Sequence, residues 1–318
     1  MSSTIAPGTT RYGIVGWAVA AAAPALLALA GCSTTPSTTD AGSSSGTVIN
    51  VVAAENFWGS LAEQLGGSHV KVTSIINNPD ADPHDYEPTA ADGRAIAAAR
   101  LVIVNGVGYD AWAGKLADAN PAAGRTTITV GDLVGAKDGD NPHRWYHPDD
   151  VRTVIDEITA SYKKLDASSA AFFDSQHNTV LSTNLKAYFD SIGQIKSAYS
   201  GTPVGASESI FAMLSPALGL NLVTPPSFLS AISEGVEPTA ADKATIDRQI
   251  KNKQIKVYVY NSQNATPDVQ AQVDAAKAAG IPVTTITETM TPAGTSFQDW
   301  QVAQLTALKQ ALAQGTGK

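Results

Sequence analysis

Val48-Ile49-Asn50-Val51-Val52, Phe57-Trp58-Gly59-Ser60-Leu61-Ala62-Glu63-Gln64-Leu65 and Val70-Lys71-Val72-Thr73-Ser74-Ile75-Ile76 follow one another along residues 48–76. The first run is short, apolar and rich in β-branched side chains, which suits a buried strand. The second reads as a helix closed by Gly66-Gly67. The third is a second strand. Thr89-Ala90-Ala91-Asp92 is then a capping box, opening a helix that runs to about Arg100. Leu101 to Asn105 is a third strand, ended by Gly106. Strand, helix, strand, helix, strand is the order of a parallel sheet covered by helices.

The same grammar returns later in the chain. Val204 to Ala206, Ile255 to Tyr260 and Val283 to Ile286 read as strands, and Phe211 to Leu218 as helical. Further helices fall near residues 239–252, 267–279 and 297–313. Between the two units, Asp149 to about Ser200 contains no Gly or Pro except Gly193. Apolar residues recur there at helical spacing, at Val151, Ile155 and Ile158 and again at Leu181, Leu185, Phe189 and Ile192. A very long helix from near Ser168 would act as a rigid spine. The expected fold is therefore α/β, with two lobes, each a mostly parallel sheet flanked by helices, joined by one long backbone helix. The expected boundaries are an N-terminal lobe at 47–166, a linking helix at 167–200 and a C-terminal lobe at 201–318. Glu87-Pro-Thr-Ala-Ala-Asp92 recurs letter for letter as Glu237-Pro-Thr-Ala-Ala-Asp242. This is either an internal duplication or good helix-start chemistry reached twice. Both readings put a helix N-terminus at each copy.

The start of the chain has a different character. A polar segment carrying Arg11 precedes an apolar run from Tyr12 to Ala30, closed by Leu29-Ala30-Gly31-Cys32. The run is at the short end for a spanning helix and is full of Ala and Gly. It reads as a lipoprotein signal over residues 1–31, cut before Cys32, whose thiol takes the lipid. Residues 33–46 are Ser, Thr, Pro, Gly, Asp and Ala and cannot bury a core, so 32–46 is a flexible tether. The expected address is exported, anchored through Cys32 to the outer face of the cytoplasmic membrane.

Cys32 is the single cysteine of the 318 residues. Once it is lipidated, no disulfide and no thiolate metal site can form, so any metal must use His, Asp and Glu. Hydrophobic residues at 43% and charged residues at 16% describe an ordinary globular chain. A net charge of −8 argues against nucleic acid and against a polybasic membrane patch.

Three of the five histidines lie in two stiff, acid-rich loops. His84 sits in Asn78-Pro-Asp-Ala-Asp-Pro-His84-Asp-Tyr-Glu-Pro88, just after a predicted strand, where open α/β sheets place ligand sites. His143 sits in Asp140-Asn-Pro-His143-Arg-Trp-Tyr-His147-Pro-Asp149-Asp150, between one unit and a helix start. Neighbouring prolines can hold an imidazole with little entropy left to lose. Taken alone, a histidine in a loop is usually a polar surface residue, and two Pro-His loops beside strand ends do not overturn that.

Over the whole mature domain the chain resembles the metal-binding solute receptors of bacterial ABC importers, of the zinc and manganese type. Asp82-Pro83-His84, running into Tyr86-Glu87-Pro88, resembles the family's first ligand loop. Asn141-Pro142-His143, followed by Trp145 and Pro148, resembles its second. Ser207-Glu208-Ser209-Ile210-Phe211, followed by Leu218-Gly219-Leu220, resembles the third, where the family carries Glu or His. Thr287-Glu288-Thr289-Met290 falls where the family usually carries Asp. The resemblance implies two lobes joined by a backbone helix, and His84, His143, Glu208 and Glu288 as ligands. His147 stands where relatives often have an acid and is an accessory candidate. Asp82, Asp85, Asp149 and Asp150 are expected in turns and caps, His69 and His177 at solvent. Glu208 follows a strand and opens a helix, whose dipole favours the ionised carboxylate.

The implied function is that of a receptor and not of an enzyme. It would carry one divalent transition metal ion, Zn²⁺ or Mn²⁺, between its lobes and deliver it to the membrane permease of an ABC transporter. It would be a monomer, attached to the membrane by its lipid and binding no nucleic acid. Glu at the third motif, and the short histidine-free segment from Gly131 to Asp140, lean toward manganese. The general affinity order leans toward zinc. Two other classes remain: a metal-dependent hydrolase, which would need an open coordination position and a general base, and an adhesion lipoprotein in which the metal is structural. No His-Glu-x-x-His motif supports the hydrolase.

Overall fold

The computed structural model describes residues 48–79 and 86–318. The signal, the tether, Cys32 and the His84 tip of the first loop lie outside the described residues. The first half runs β1 (Ile49–Glu55), α1 (Asn56–Gly66), β2 (Val70–Ile76), α2 (Ala90–Ala98), β3 (Leu101–Val104), α3 (Ala111–Ala119), β4 (Thr126–Thr129), α4 (Val130–Leu133) and α5 (Pro148–Leu165). After α6 (Ala170–Thr179) and α7 (Lys186–Tyr199) come β5 (Pro203–Ala206), α8 (Ile210–Leu214), β6 (Asn221–Leu222) and α9 (Pro226–Ser233). The chain ends with α10 (Ala240–Lys251), β7 (Tyr258–Asn261), α11 (Pro267–Ala278), β8 (Val283–Ile286) and α12 (Phe297–Thr316).

The described residues form two four-stranded sheets, ordered β2-β1-β3-β4 and β6-β5-β7-β8. The pairings are parallel, with Ile49 opposite Val70 and Leu101 opposite Thr126 in the first sheet and Tyr258 opposite Val283 in the second. The expected two-lobe α/β architecture is therefore present. The central strands are the apolar runs of the sequence. Two of the four edge strands are not: Thr126-Thr-Ile-Thr129 has one buried residue and β6 is two residues long. Such edges form because a neighbour offers a ladder, not because their own composition demands it. The strand expected from Ile255 begins at Tyr258, although the Lys256 N–H and Val257 carbonyl already pair with β5.

The two copies of Glu-Pro-Thr-Ala-Ala-Asp open α2 and α10. Each of these helices lies between the second and third strands of its sheet, and the two sheets share one strand order. Helix-start chemistry reached twice does not require the same topological slot, so the arrangement favours duplication. Thr89 accepts from the Asp92 N–H while Asp92 accepts from the Thr89 N–H at 2.7 Å, a reciprocal capping box. Thr239 caps α10 through the Asp242 N–H at 3.1 Å. Thr89→Ala should cost about 1 kcal/mol of folding stability. Urea denaturation of the chelated protein reads this, and no shift in midpoint would mean that α2 is held by packing alone.

The spine differs in detail from one uninterrupted helix. It spans Ala170 to Tyr199 as α6 and α7 around a π turn at Val180–Asn184, in which the Leu185 N–H donates to the Val180 carbonyl. The additional residue in that turn realigns the apolar stripe. Phe173, Val180, Leu185, Tyr188 and Ile195 are all buried as a result. One continuous core joins the spine to both sheets and includes Trp58, Trp145 and Trp300. Ser60 Oγ accepts from the Phe297 N–H at 3.0 Å, which ties α1 to the start of α12. Among the described residues no helix is long and apolar enough to cross a membrane.

Candidate metal centre

Parallel strands bring the starts of their following loops to one edge of each sheet. His143 follows β4 and α4, Glu208 follows β5 and Glu288 follows β8. The two sheets present these edges to one another. One nitrogen of His143 and one oxygen each of Glu208 and Glu288 lie within 4.8 Å of one another. All three residues are buried, at 0%, 2% and 8% exposure. His143 Nε2 is 3.7 Å from Glu288 Oε1.

The imidazole is oriented from behind. Asn141 Nδ2 donates to the Ser209 carbonyl at 2.7 Å, and Asn141 Oδ1 accepts from the His143 N–H at 3.1 Å. These two bonds fix the amide orientation. The same Oδ1 lies 2.8 Å from His143 Nδ1, so Nδ1 carries the proton. Nε2 is left as a lone pair facing the two carboxylates, buried and with no hydrogen-bond donor among the described residues. Such a nitrogen is ready for a cation. Ligand atoms about 2.1 Å from a tetrahedral ion lie roughly 3.4 Å apart. The 3.7 Å between His143 Nε2 and Glu288 Oε1 exceeds that by little, and the donor set fits a divalent ion.

An aromatic wall supports His143. Trp145 packs edge-on to it at 5.3 Å between ring centres and stacks on Phe57 at 3.9 Å. Tyr109 lies 6.1 Å from the imidazole. Burial pushes the Tyr109 hydroxyl well above its usual pKa, and the Glu288 carboxylate, to which it hydrogen-bonds, pushes further. The second half is clamped by Tyr146, whose hydroxyl donates to the Thr287 carbonyl at 2.6 Å. Gln263 Oε1 accepts from the Glu288 and Thr289 N–H groups, while its Nε2 donates to the Pro79 carbonyl at 2.8 Å. One glutamine thus joins the Glu288 turn to the root of the His84 loop.

His147 is not in this group. It caps α5 with Nδ1 toward the Asp150 N–H, and that nitrogen lies 3.1 Å from Asp150 Oδ1. Asp150 also meets Arg144 at 2.5 Å, so its side chain serves an ion pair while His147 supplies the cap. His69 and His177, expected at solvent, are half-buried, at 3.5 Å from Asp166 and 2.6 Å from Asp156. The helix after Glu208 stops at Leu214 instead of Leu218, so its dipole contributes less than expected.

Residues 51–311 match the family described as ZnuA, zinc-uptake complex component A periplasmic. The chain belongs to this family. A manganese-binding lipoprotein MntA of Bacillus subtilis is 31% identical over 150 residues, covering 44% of this chain and 46% of that relative. The chain thus spans under half the length of that protein. The metal ABC transporter substrate-binding lipoprotein ScbA of Streptococcus cristatus is 24% identical over 266 residues, covering 76% of this chain and 81% of ScbA. The Mn-bound periplasmic metal binding protein from candidatus liberibacter asiaticus superposes with a TM-score of 0.68 at 21% identity, covering 82% of this chain and 98% of that one. The fold is therefore that of the family. Gln263, Tyr109 and Tyr146 were given no role from the sequence, and Asn141 only a place in its motif, because the residue types do not announce metal ligation. For Asn141 the signal available was its place two residues before His143.

Proposed function

We propose that this protein is the extracytoplasmic receptor of a metal importer, lipid-anchored at Cys32 and acting as a monomer. It takes one divalent transition ion, Zn²⁺ or Mn²⁺, between its two sheets and passes it to a membrane permease. His84, His143, Glu208 and Glu288 are the proposed ligands. The observation that carries this reading is the buried His143 Nε2, tautomer set by Asn141, aimed at Glu208 and Glu288. Two carboxylates cancel the charge of a divalent ion, and two neutral imidazoles add none. The family and the names of its relatives support cargo binding over catalysis.

The spine and the shared core argue for release by loop shifts or a small tilt of the lobes, not by wide hinging. Imidazole suits zinc and carboxylate suits manganese, so the donor set is borderline between them. The test is metal content by mass spectrometry after the stripped protein meets equal, limiting amounts of both ions. We expect one equivalent per chain, and zinc from the general affinity order. Retention of manganese instead would mean that the geometry overrides that order. A protein that retains neither ion would refute the receptor reading.

A further inference from the structure

Asn105 to Asp110 links β3 to α3 beside the metal centre. Three consecutive residues in this turn have left-handed backbone: Gly106 at φ 72°, Val107 at φ 57° and Gly108 at φ 78°. A β-branched residue rarely adopts that region, because its Cβ crowds the following carbonyl. Val107 is therefore strained, and the turn must be held from outside. Asp110 holds it, accepting the Asn105 N–H at 2.6 Å and the Gly106 N–H at 2.7 Å. The turn in its place reaches the proposed ligands twice. Asn105 Nδ2 donates to the Pro142 carbonyl at 2.8 Å, one residue before His143. Tyr109 hydrogen-bonds to Glu288.

Asp110 is itself held by Glu55, the last residue of β1, whose exposure is 0%. Among the described residues no donor from another residue reaches either Glu55 oxygen. The β1–β3 register, with Ala53 opposite Ile103, brings Glu55 alongside the start of this turn, where the Asp110 carboxyl acts on it. Two carboxylates cannot bond without a proton between them. Two backbone N–H groups favour the ionised form of Asp110, so the proton belongs to Glu55. Burial, then the Asp110 charge, then the bond to it raise the Glu55 pKa well above the usual carboxylate range. Burial raises Asp110 too, but the Asn105 and Gly106 N–H groups and Glu55 pull it back. The Tyr109 hydroxyl also faces the pair.

We propose that Glu55 is a positioning residue of the metal centre, a neutral carboxylic acid that donates to Asp110 and so locks the Asn105–Asp110 turn against the ligands. The inference rests on the receptor reading above. Glu55 acts here as a donor and not as a charge. Gln keeps a donor at this position, and Leu keeps the approximate volume without one.

The test compares Zn²⁺ and Mn²⁺ affinities of the wild type, Glu55→Gln and Glu55→Leu by chelator competition. Glu55→Leu should weaken binding about tenfold or more, the scale on which partners behind a ligand act. Glu55→Gln should restore most of that loss. Infrared spectra at neutral pH should show a protonated-carboxyl band in the wild type that Glu55→Gln lacks. If Gln loses as much affinity as Leu, the negative charge is what matters and the inference fails. It fails equally if both variants bind like the wild type, or if the wild type lacks the infrared band. A Leu variant that does not fold leaves the Gln affinity and the infrared band to decide. A wild type that binds neither ion overturns the receptor reading, and this inference with it.

Discussion

His143→Ala weakens binding of both Zn²⁺ and Mn²⁺ by more than about 100-fold, beyond the 10–100-fold typical of partners that only support a ligand. Three features make the effect large. The imidazole is fully buried, so water has no ready route to replace Nε2. Its orientation is set in advance by Asn141, so the wild type spends little entropy on aligning it. Once it is gone, a bound ion loses one of its donors and keeps only the carboxylates of Glu208 and Glu288 among the three grouped residues. Chelator competition reads the affinity, and circular dichroism checks that the variant is folded. A folded His143→Ala protein that binds within a few-fold of the wild type would remove this histidine from the centre.

Trp145→Ala lowers folding stability by about 3–5 kcal/mol, the cost of emptying a large buried aromatic site. Trp145 has 0% exposure and packs on Phe57, Tyr109, His143 and Tyr146, at 3.9, 4.9, 5.3 and 6.2 Å between ring centres. These neighbours come from α1, from the turn before α3 and from the His143 segment itself, so no single element can move to fill the void. Metal affinity should fall as well, because the imidazole loses the wall it leans on. Urea unfolding in the presence of chelator isolates the stability effect from any contribution of bound ion. A loss below about 1 kcal/mol would show that the surrounding rings collapse into the gap.

The readable part of the fold and the unreadable part separate by the range of the forces involved. β1 and β3 were legible because each is a largely apolar stretch bounded by breakers, and β2 because β-branched residues are frequent along Val70–Ile76. The starts of α2 and α10 were legible because Thr89 with Asp92, and Thr239 with Asp242, satisfy helix N–H groups within one turn. β4 and β6 were not, since these short edge strands bury little of their own and take their conformation from the neighbour they pair with. The π turn at Val180–Asn184 was not, since its cause is the alignment of Val180 and Leu185 with a core contributed by both sheets.

The candidate site divides in the same way. Pro-His loops and a Glu after a strand end drew attention to His84, His143, Glu208 and Glu288 through their motifs. The structure brings the last three together, and His84 lies outside the described residues. Which nitrogen of His143 faces the centre depends on Asn141 and Ser209, on opposite sides of it. The raised pKa of Glu55 comes first from its burial and then from Asp110, far along the chain. The sequence by itself determined the strand-helix repeat, the helix caps, the absence of thiolate ligands and the kind of donors available, because these follow from residue type and local spacing. Only the tertiary structure decided which donors meet, how each is turned and protonated, and where the spine yields, because burial and long-range contact set those energies.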